Sequence, residues 1–193
     1  MANPWRPKPI WVSLFSQTGS ELQAIVDHVG RPPNVVLYNG KEPDKISFRY
    51  KDYPGHLLFL NKPHNDCMEW LRKSYPDDDI RSMVTITLHG YLRIIPPDIC
   101  NRYRIYNGHP GAIDLYPDLK GKDPQVRAWE NKDSYANIGS VIHEVTEGVD
   151  EGKIVKSVHF RNRVESLDEM YDTLKKASLS SWIFFMEEKK ICG

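Results

Sequence analysis

The stretch Ile10 to Ser16 (IWVSLFS) constrains the fold more than any other segment. It is short, largely apolar and rich in strand-forming side chains, so it reads as a buried strand. A turn signal, Gln17-Thr18-Gly19-Ser20, ends it. Leu22, Ile25, Val26 and Val29 then recur at helical spacing until Gly30 and two prolines stop the pattern. Asn34 to Tyr38 (NVVLY) supplies a second strand. A strand, helix and strand in such regular succession predict an α/β fold with a mostly parallel central sheet flanked by helices.

The rest of the chain continues this alternation with gaps. Leu57 to Leu60 reads as a third strand after a polar, tyrosine-containing stretch, Gly40 to Gly55, that carries no assignable element. Cys67, Trp70 and Leu71 share a helix face, and Met83 to Leu88 alternates as a strand entering Gly90. Beyond Leu88, Pro96, Pro97, Pro110, Pro117 and Pro124, with Gly108, Gly111 and Gly121, punctuate a long section of little periodicity. Loops of this length in a compact domain usually carry function. Val141 to Val145 and Lys153 to Phe160 alternate as strands around the acidic turn Thr146 to Gly152, a hairpin-like unit. Ser166 and Glu169 form a capping box that opens a last helix through Met170, Tyr171, Leu174 and Ala177. With no repeat, low-complexity segment or flexible linker, residues 1–193 are expected to form one domain.

Composition excludes several classes. Lys plus Arg and Asp plus Glu number 26 each, which leaves no global field to draw the protein to nucleic acid or to an anionic membrane. Cys67, Cys100 and Cys192 are odd in number, widely spaced and outside any Cys-x-x-Cys pair, against both a disulfide scaffold and a zinc site. The stretch Met1 to Pro9 carries prolines and charges in place of an apolar signal core, and no apolar run approaches the roughly 18 to 20 residues of a membrane span. A soluble, cytoplasmic protein is expected.

Side chains able to do chemistry concentrate in Ile105-Tyr106-Asn107-Gly108-His109-Pro110-Gly111. There an apolar strand end delivers an Asn and a His two residues apart, able to point to one side, before Pro and Gly force a turn. An Asn amide can donate to a developing oxyanion, and a His can move a proton near neutral pH. Alone, Asn-Gly-His-Pro reads as a turn and needs a partner. Asp150, in Glu147-Gly148-Val149-Asp150-Glu151-Gly152, is placed after a strand where its carboxylate could hold His109 charged, although such a loop by itself is commonly a solvated turn. The Gln17 to Ser20 turn opens a helix and could hold an anion. It has one glycine and neither a dinucleotide fingerprint nor a Walker A lysine, and an ordinary helix start explains it equally well. His89, His143, Arg93 and Trp129, taken singly, read as packed or satisfied side chains.

Taken in order, four segments resemble the folate-dependent formyltransferase family, and its glycinamide ribonucleotide branch in particular. Phe15 to Ile25 looks like the family's first strand-to-helix loop, and Leu88-His89-Gly90-Tyr91-Leu92-Arg93-Ile94-Ile95 like the segment lining the folate pocket. Asn107-Gly108-His109-Pro110-Gly111 is similar to the Asn-x-His-Pro-Ser signature. Ile142-His143-Glu144-Val145 followed by Val149-Asp150-Glu151-Gly152 is similar to the His-x-Val then Asp-x-Gly signature. The match reaches from residue 10 to about residue 160. It implies a Rossmann-like formyltransferase fold and formyl transfer from 10-formyltetrahydrofolate to an amine without a metal, with Asn107, His109 and Asp150 catalytic. In that scheme Asn107 and protonated His109 donate to the formyl oxygen as charge builds on it, and Asp150 keeps His109 cationic and helps pass the amine proton. Leu88, Tyr91, Leu92, Arg93, Ile95, Thr146, Glu147 and Val149 would wall the pterin site, and Thr18, Gly19, Ser20 and Glu21 would meet the acceptor.

Two departures bear on the acceptor. Gly111 stands where the family has Ser, and Glu21 puts a carboxylate where the purine enzyme's loop approaches a phosphate. Glycinamide ribonucleotide, an amino-sugar nucleotide and another amino nucleotide therefore remain comparable acceptors. The same three residues would serve a hydrolase of 10-formyltetrahydrofolate, and a non-catalytic folate-binding protein could use the same scaffold. A generic nucleotide-binding α/β domain would leave the late Asp-containing loop without explanation. The expected partners are folate and a small amine, with no nucleic acid or membrane, and self-association into a homodimer is left open. The stretch Gly40 to Gly55, with Lys45, Phe48, Arg49 and Tyr50, is expected to help shape the acceptor site.

Overall fold

A computed structural model describes residues 9–191, so the start of the chain read above for a signal core, Cys192 and Gly193 lie outside the described residues. The strands are β1 (Ile10–Phe15), β2 (Val35–Tyr38), β3 (Leu58–Asn61), β4 (Val84–Leu88), β5 (Arg104–His109), β6 (Asn137–Glu144) and β7 (Ile154–Arg161). The helices are α1 (Ser20–Val29), α2 (His64–Ser74), α3 (Asp78–Ser82), α4 (Pro97–Cys100), α5 (Pro124–Glu130) and α6 (Leu167–Glu188). One sheet runs in the order β3-β2-β1-β4-β5-β6-β7. The first five of these strands are parallel to one another, and β6 lies antiparallel to both β5 and β7. The α/β, mostly parallel architecture is the one the sequence predicts.

The layering follows from β1. Successive side chains of a strand point to opposite faces. Val12 and Leu14 pack with Cys67, Met68 and Leu71 of α2 and Ile99 of α4. Trp11 and Phe15 pack on the other face with Leu22, Ile25 and Val26 of α1 and Trp182, Phe185 and Met186 of α6. Both faces are covered, so the strand has to be apolar on both, which explains why IWVSLFS lacks polar alternation. Burying an aromatic such as Phe15 contributes roughly 2 to 3 kcal/mol. The polar residue inside this strand is satisfied locally: Ser13 Oγ and Thr87 Oγ1 lie 2.9 Å apart, and the Trp11 indole N–H donates to the same threonine oxygen at 2.8 Å.

Gly40 to Gly55 folds as two short 3-10 turns, Pro43–Lys45 and Tyr50–Asp52, where a helix usually joins parallel strands. Its aromatics do the covering a helix would do. Phe48 is buried beside Phe15 with ring centroids 6.2 Å apart, and Tyr50 stacks on Phe59 at 4.0 Å. The proline-rich section after Leu88 contains α4, β5 and α5, of which the two helices span 4 and 7 residues, too short to show periodicity. The last helix starts as read: Ser166 Oγ accepts from the Glu169 amide at 3.1 Å. The reciprocal bond goes one residue further back, since the Glu169 carboxylate accepts from the Glu165 amide at 2.7 Å.

From β1 the chain moves first to β2 on one side and later to β4 on the other. The loops leaving the carboxyl ends of β1 and β4 therefore diverge and open a crevice, the position where sheets of this kind bind ligands.

Candidate active site

Two cavities occupy this end of the sheet, one on each face. On the α1 and α6 side, about 350 Å³ is lined by Thr18, Gly19, Ser20 and Glu21, all four residues expected to meet an acceptor, together with His89, Gly108, Pro110, Lys175 and Ser178. The turn is sterically fixed. Gly19 has φ +71°, and a Cβ there would lie 2.9 Å from the Phe15 ring and 3.0 Å from Phe48 Cβ. Gly40 to Gly55 does not itself line this cavity. It props the turn from behind, the Ser47 and Phe48 amides donating to the Thr18 carbonyl at 2.7 and 3.2 Å.

At the cavity floor Glu21 is clamped. Its Oε2 lies 3.1 Å from His89 Nδ1, and its Oε1 accepts from Ser178 Oγ at 2.5 Å. Behind it the buried His89 ring reaches Thr87 Oγ1 with Nε2 at 2.9 Å. Burial alone would raise the Glu21 pKa, but the hydrogen bond and charge of His89, then the Ser178 hydroxyl, outweigh it and hold the carboxyl below its ordinary value.

On the α2 and α4 side, a narrower cavity of about 140 Å³ is lined by Leu88, Tyr91, Arg93, Ile95, Thr146, Glu147 and Val149. These are seven of the eight residues expected around a pterin. Leu92 is the exception, 65% exposed and not in the lining of this cavity. Ile94, not expected, takes a place in the lining. Arg93 also borders a third cavity of about 550 Å³ lined by Lys41, Lys62 and His64, a cationic annex with no carboxylate in its wall.

Asn107, His143 and Asp150 meet at the inner end of the narrow cavity. Asn107 and His109 are two apart on β5 and so share a face, and the antiparallel register puts His143 of β6 directly opposite Asn107. Asp150, at φ +53° in the turn after β6, brings its carboxylate between the two imidazoles. Its Oδ2 is 3.2 Å from His109 Nδ1, and its Oδ1 is 3.2 Å from His143 Nε2. The Gly121 amide donates to Oδ2 at 2.8 Å. Burial pushes the Asp150 pKa up, but the hydrogen bonds from His109 and His143, the charge of His109 and the Gly121 N–H overcome it. The carboxyl is held well below the usual carboxylate range.

The second nitrogen of each histidine faces a backbone carbonyl, and the two differ in their access to the cavities. His109, 4% exposed, has Nε2 2.9 Å from the Leu119 carbonyl and lines neither of the two cavities flanking the sheet. Both of its nitrogens thus lie against oxygens, one of Asp150 and one of the Leu119 backbone. His143 has Nδ1 2.8 Å from the Glu144 carbonyl, and Asn107 Nδ2 lies 3.2 Å from its Nε2. His143 was read from sequence as a packed side chain. It is buried, but in the polar cluster and on the cavity wall. Its place opposite Asn107 is set by the β5–β6 register, and the sequence signal that pointed to it was the likeness of Ile142-His143-Glu144-Val145 to the His-x-Val signature. The Leu119 carbonyl is held in turn by Arg127, whose guanidinium donates to the carbonyls of Asp118, Leu119 and Lys120 at 2.5, 3.1 and 2.6 Å.

The sequence model of the family described as formyl transferase matches residues 11–183. The chain belongs to the formyl transferase family. Among solved structures, this family member is similar to phosphoribosylglycinamide formyltransferase from Campylobacter jejuni, with 20% identity, 94% of this chain and 97% of the other covered, and a TM-score of 0.74. It is similar to glycinamide ribonucleotide transformylase 1 from Symbiobacterium toebii at 22% identity, with 97% and 92% covered and a TM-score of 0.69. A formyltetrahydrofolate deformylase from Pseudomonas syringae shares 19% identity and a TM-score of 0.68, over 92% of this chain but 59% of its own. At these identities the likeness is one of fold. A sequence search of curated proteins finds no match. No helix among the described residues is long and apolar enough to cross a membrane.

Proposed function

We propose that this formyl transferase family member moves a formyl group from 10-formyltetrahydrofolate to the primary amine of a small nucleotide-type or sugar-type acceptor, with residues 1–193 acting as one catalytic domain. The observation that carries the reading is the Asn107–His143–Asp150–His109 cluster, set between the narrow cavity on one face of the sheet and the wider one on the other. The narrow cavity suits a flat ring system held by apolar contact and backbone groups, with Leu88, Ile94, Ile95 and Val149 as walls. The cationic annex at Lys41, Lys62 and Arg93 suits the glutamate carboxylates that a folate carries. Folate, when bound, supplies the activated formyl group.

The chain's own residues then have separate tasks. With His143 Nε2–H directed at Asp150, the Asn107 amide satisfies its neighbours best by turning its oxygen to the imidazole and its NH₂ to the cavity. There it can donate to an oxygen that gains negative charge, a contact whose loss typically costs about 2.7 to 4 kcal/mol. Asp150 stands at the cavity wall, where its carboxylate can accept the proton that the attacking amine loses and return it to the departing folate nitrogen, while His143 orients that carboxylate. His109, tied between Asp150 and the Leu119 carbonyl, fixes the carboxylate's position and charge from behind, a more indirect part than donating to the formyl oxygen itself.

A second reading, hydrolysis of the formyl donor, needs the same cluster with water in place of the amine. Tetrahydrofolate release, followed by absorbance with and without glycinamide ribonucleotide, amino-sugar nucleotides and amino nucleotides, separates the two. Release that requires an amine supports transfer. Release in buffer alone at the same rate would replace transfer with hydrolysis.

A further inference from the structure

Glu21 lines the acceptor-side cavity and has no part in the formyl-transfer chemistry. Its carboxylate sits in the first turn of α1, where the helix dipole favours an anion. Both oxygens are also engaged by protein donors, Ser178 from α6 and His89 from the loop after β4. The side chain remains 26% exposed, while the His89 side chain behind it is 0% exposed. The carboxylate is therefore the more accessible member of the pair, with His89 lining the cavity behind it. Asp172 adds a second negative group to the lining and Lys175 a single ammonium. The positive end of α1 is thus already answered from within the chain.

We propose that Glu21 makes this an anion-rejecting acceptor pocket: the part of the acceptor seated on the α1 turn is a hydroxyl or amino group that donates to Glu21, not a phosphate. Glu21, which keeps unused lone pairs beyond those taken by Ser178 and His89, can accept such a bond, whereas a phosphate there places like charges in contact. The Thr18 and Ser20 hydroxyls, 3.2 Å apart at the rim, complete a surface suited to a polyhydroxylated ring. The proposal rests on the reading of this cavity as the acceptor site. It narrows the acceptors considered above to those whose α1 end is uncharged or cationic.

Glycinamide ribonucleoside and its 5′-phosphate differ only at the group in question, and inorganic phosphate probes the turn alone. All three are titrated, without folate, into the nitrogen-15-labelled full chain and its Glu21→Gln variant, with the amides of Thr18 to Leu22 as the readout. The expected result for the wild type is nucleoside binding at least about tenfold tighter than nucleotide binding, with no response to phosphate. Glu21→Gln should remove that preference and respond to phosphate. Wild-type binding of the nucleotide as tightly as the nucleoside, or phosphate-induced shifts at Thr18 to Leu22 in the wild type, would overturn the proposal. So would a Glu21→Gln protein that no more responds to phosphate than the wild type does. Should that variant fail to fold, the wild-type titrations with phosphate and with the two glycinamide compounds decide alone, absence of the nucleoside preference counting against the proposal. Because no folate is present, failure here leaves formyl transfer standing, and failure of formyl transfer is read separately from tetrahydrofolate release.

Discussion

Replacing Asp150 by Asn tests the centre of the site with the least change of shape. The carboxylate serves three partners: His109 Nδ1 and His143 Nε2 at 3.2 Å each, and the Gly121 amide at 2.8 Å. An amide has one acceptor oxygen, so it can satisfy one imidazole and must turn its NH₂ toward the other. With the Asp150 side chain 11% exposed, breaking a buried charge pair would cost about 3 to 5 kcal/mol. The contact kept by the amide oxygen offsets part of that, which leaves an expected loss of about 2 to 4 kcal/mol in folding stability. Turnover should fall about 10²- to 10⁴-fold, the range for misplacing a proton-handling group. The pH dependence has a definite sign. The folded-state pKa of Asp150 is depressed, so its contribution is present in full above the unfolded-state value near ~3.9 and is lost as pH falls toward the folded value. Urea titrations should therefore show a wild-type advantage that is full at pH 7 and shrinks only in acid, below about pH 4. An Asp150→Asn protein that keeps turnover within about threefold and unfolds at the wild-type midpoint would refute the assignment of Asp150 as the shared anion.

Three further substitutions probe how the cluster is held. A Cβ at residue 152 would lie 1.7 Å from the Glu144 carbonyl, so Gly152→Ala must displace the turn that carries Asp150. About a hundredfold loss of turnover is expected, and unchanged kinetics would mean that the turn adapts without moving the carboxylate. Gly108→Ala directs a methyl to 2.6 Å from Trp182 Nε1 and should lower thermal stability by about 1 to 3 kcal/mol, as read by calorimetry. Equal melting temperatures would show that α6 yields there. Arg127→Met releases the carbonyls of Asp118, Leu119 and Lys120 and should lower kcat while leaving folate affinity nearly unchanged. A selective loss of folate binding would place Arg127 with the pocket and not with the loop that holds His109.

Local signals in the sequence carried much of the fold. The buried first strand, the turn at Gln17 to Ser20, the spacing of α1 and the Ser166 cap are short-range patterns, and each lies where its chemistry puts it. Asn107 and His109 share a face because strand periodicity is two, a relation readable from five consecutive residues. What did not show was set by long-range pairing. The approach of His143 to Asn107 depends on the β5–β6 register, and the burial of His109 depends on a loop ten residues later. Leu92 illustrates a different limit. Leu92 and Ile94 are both exposed, and only Ile94 borders the narrow cavity, a difference that apolar character alone does not reveal. Gly40 to Gly55 gave no periodic signal because its aromatics pack from 3-10 turns, where side-chain direction follows no long repeat.

The most direct test of formyl transfer follows the formyl carbon itself. 10-Formyltetrahydrofolate labelled with carbon-13 in the formyl group is incubated with the protein and each candidate amine, and the label is located by NMR. The account predicts a new formamide resonance on one amine, absent with Asp150→Asn. Label appearing only as formate, or remaining on the folate with every amine, would contradict it.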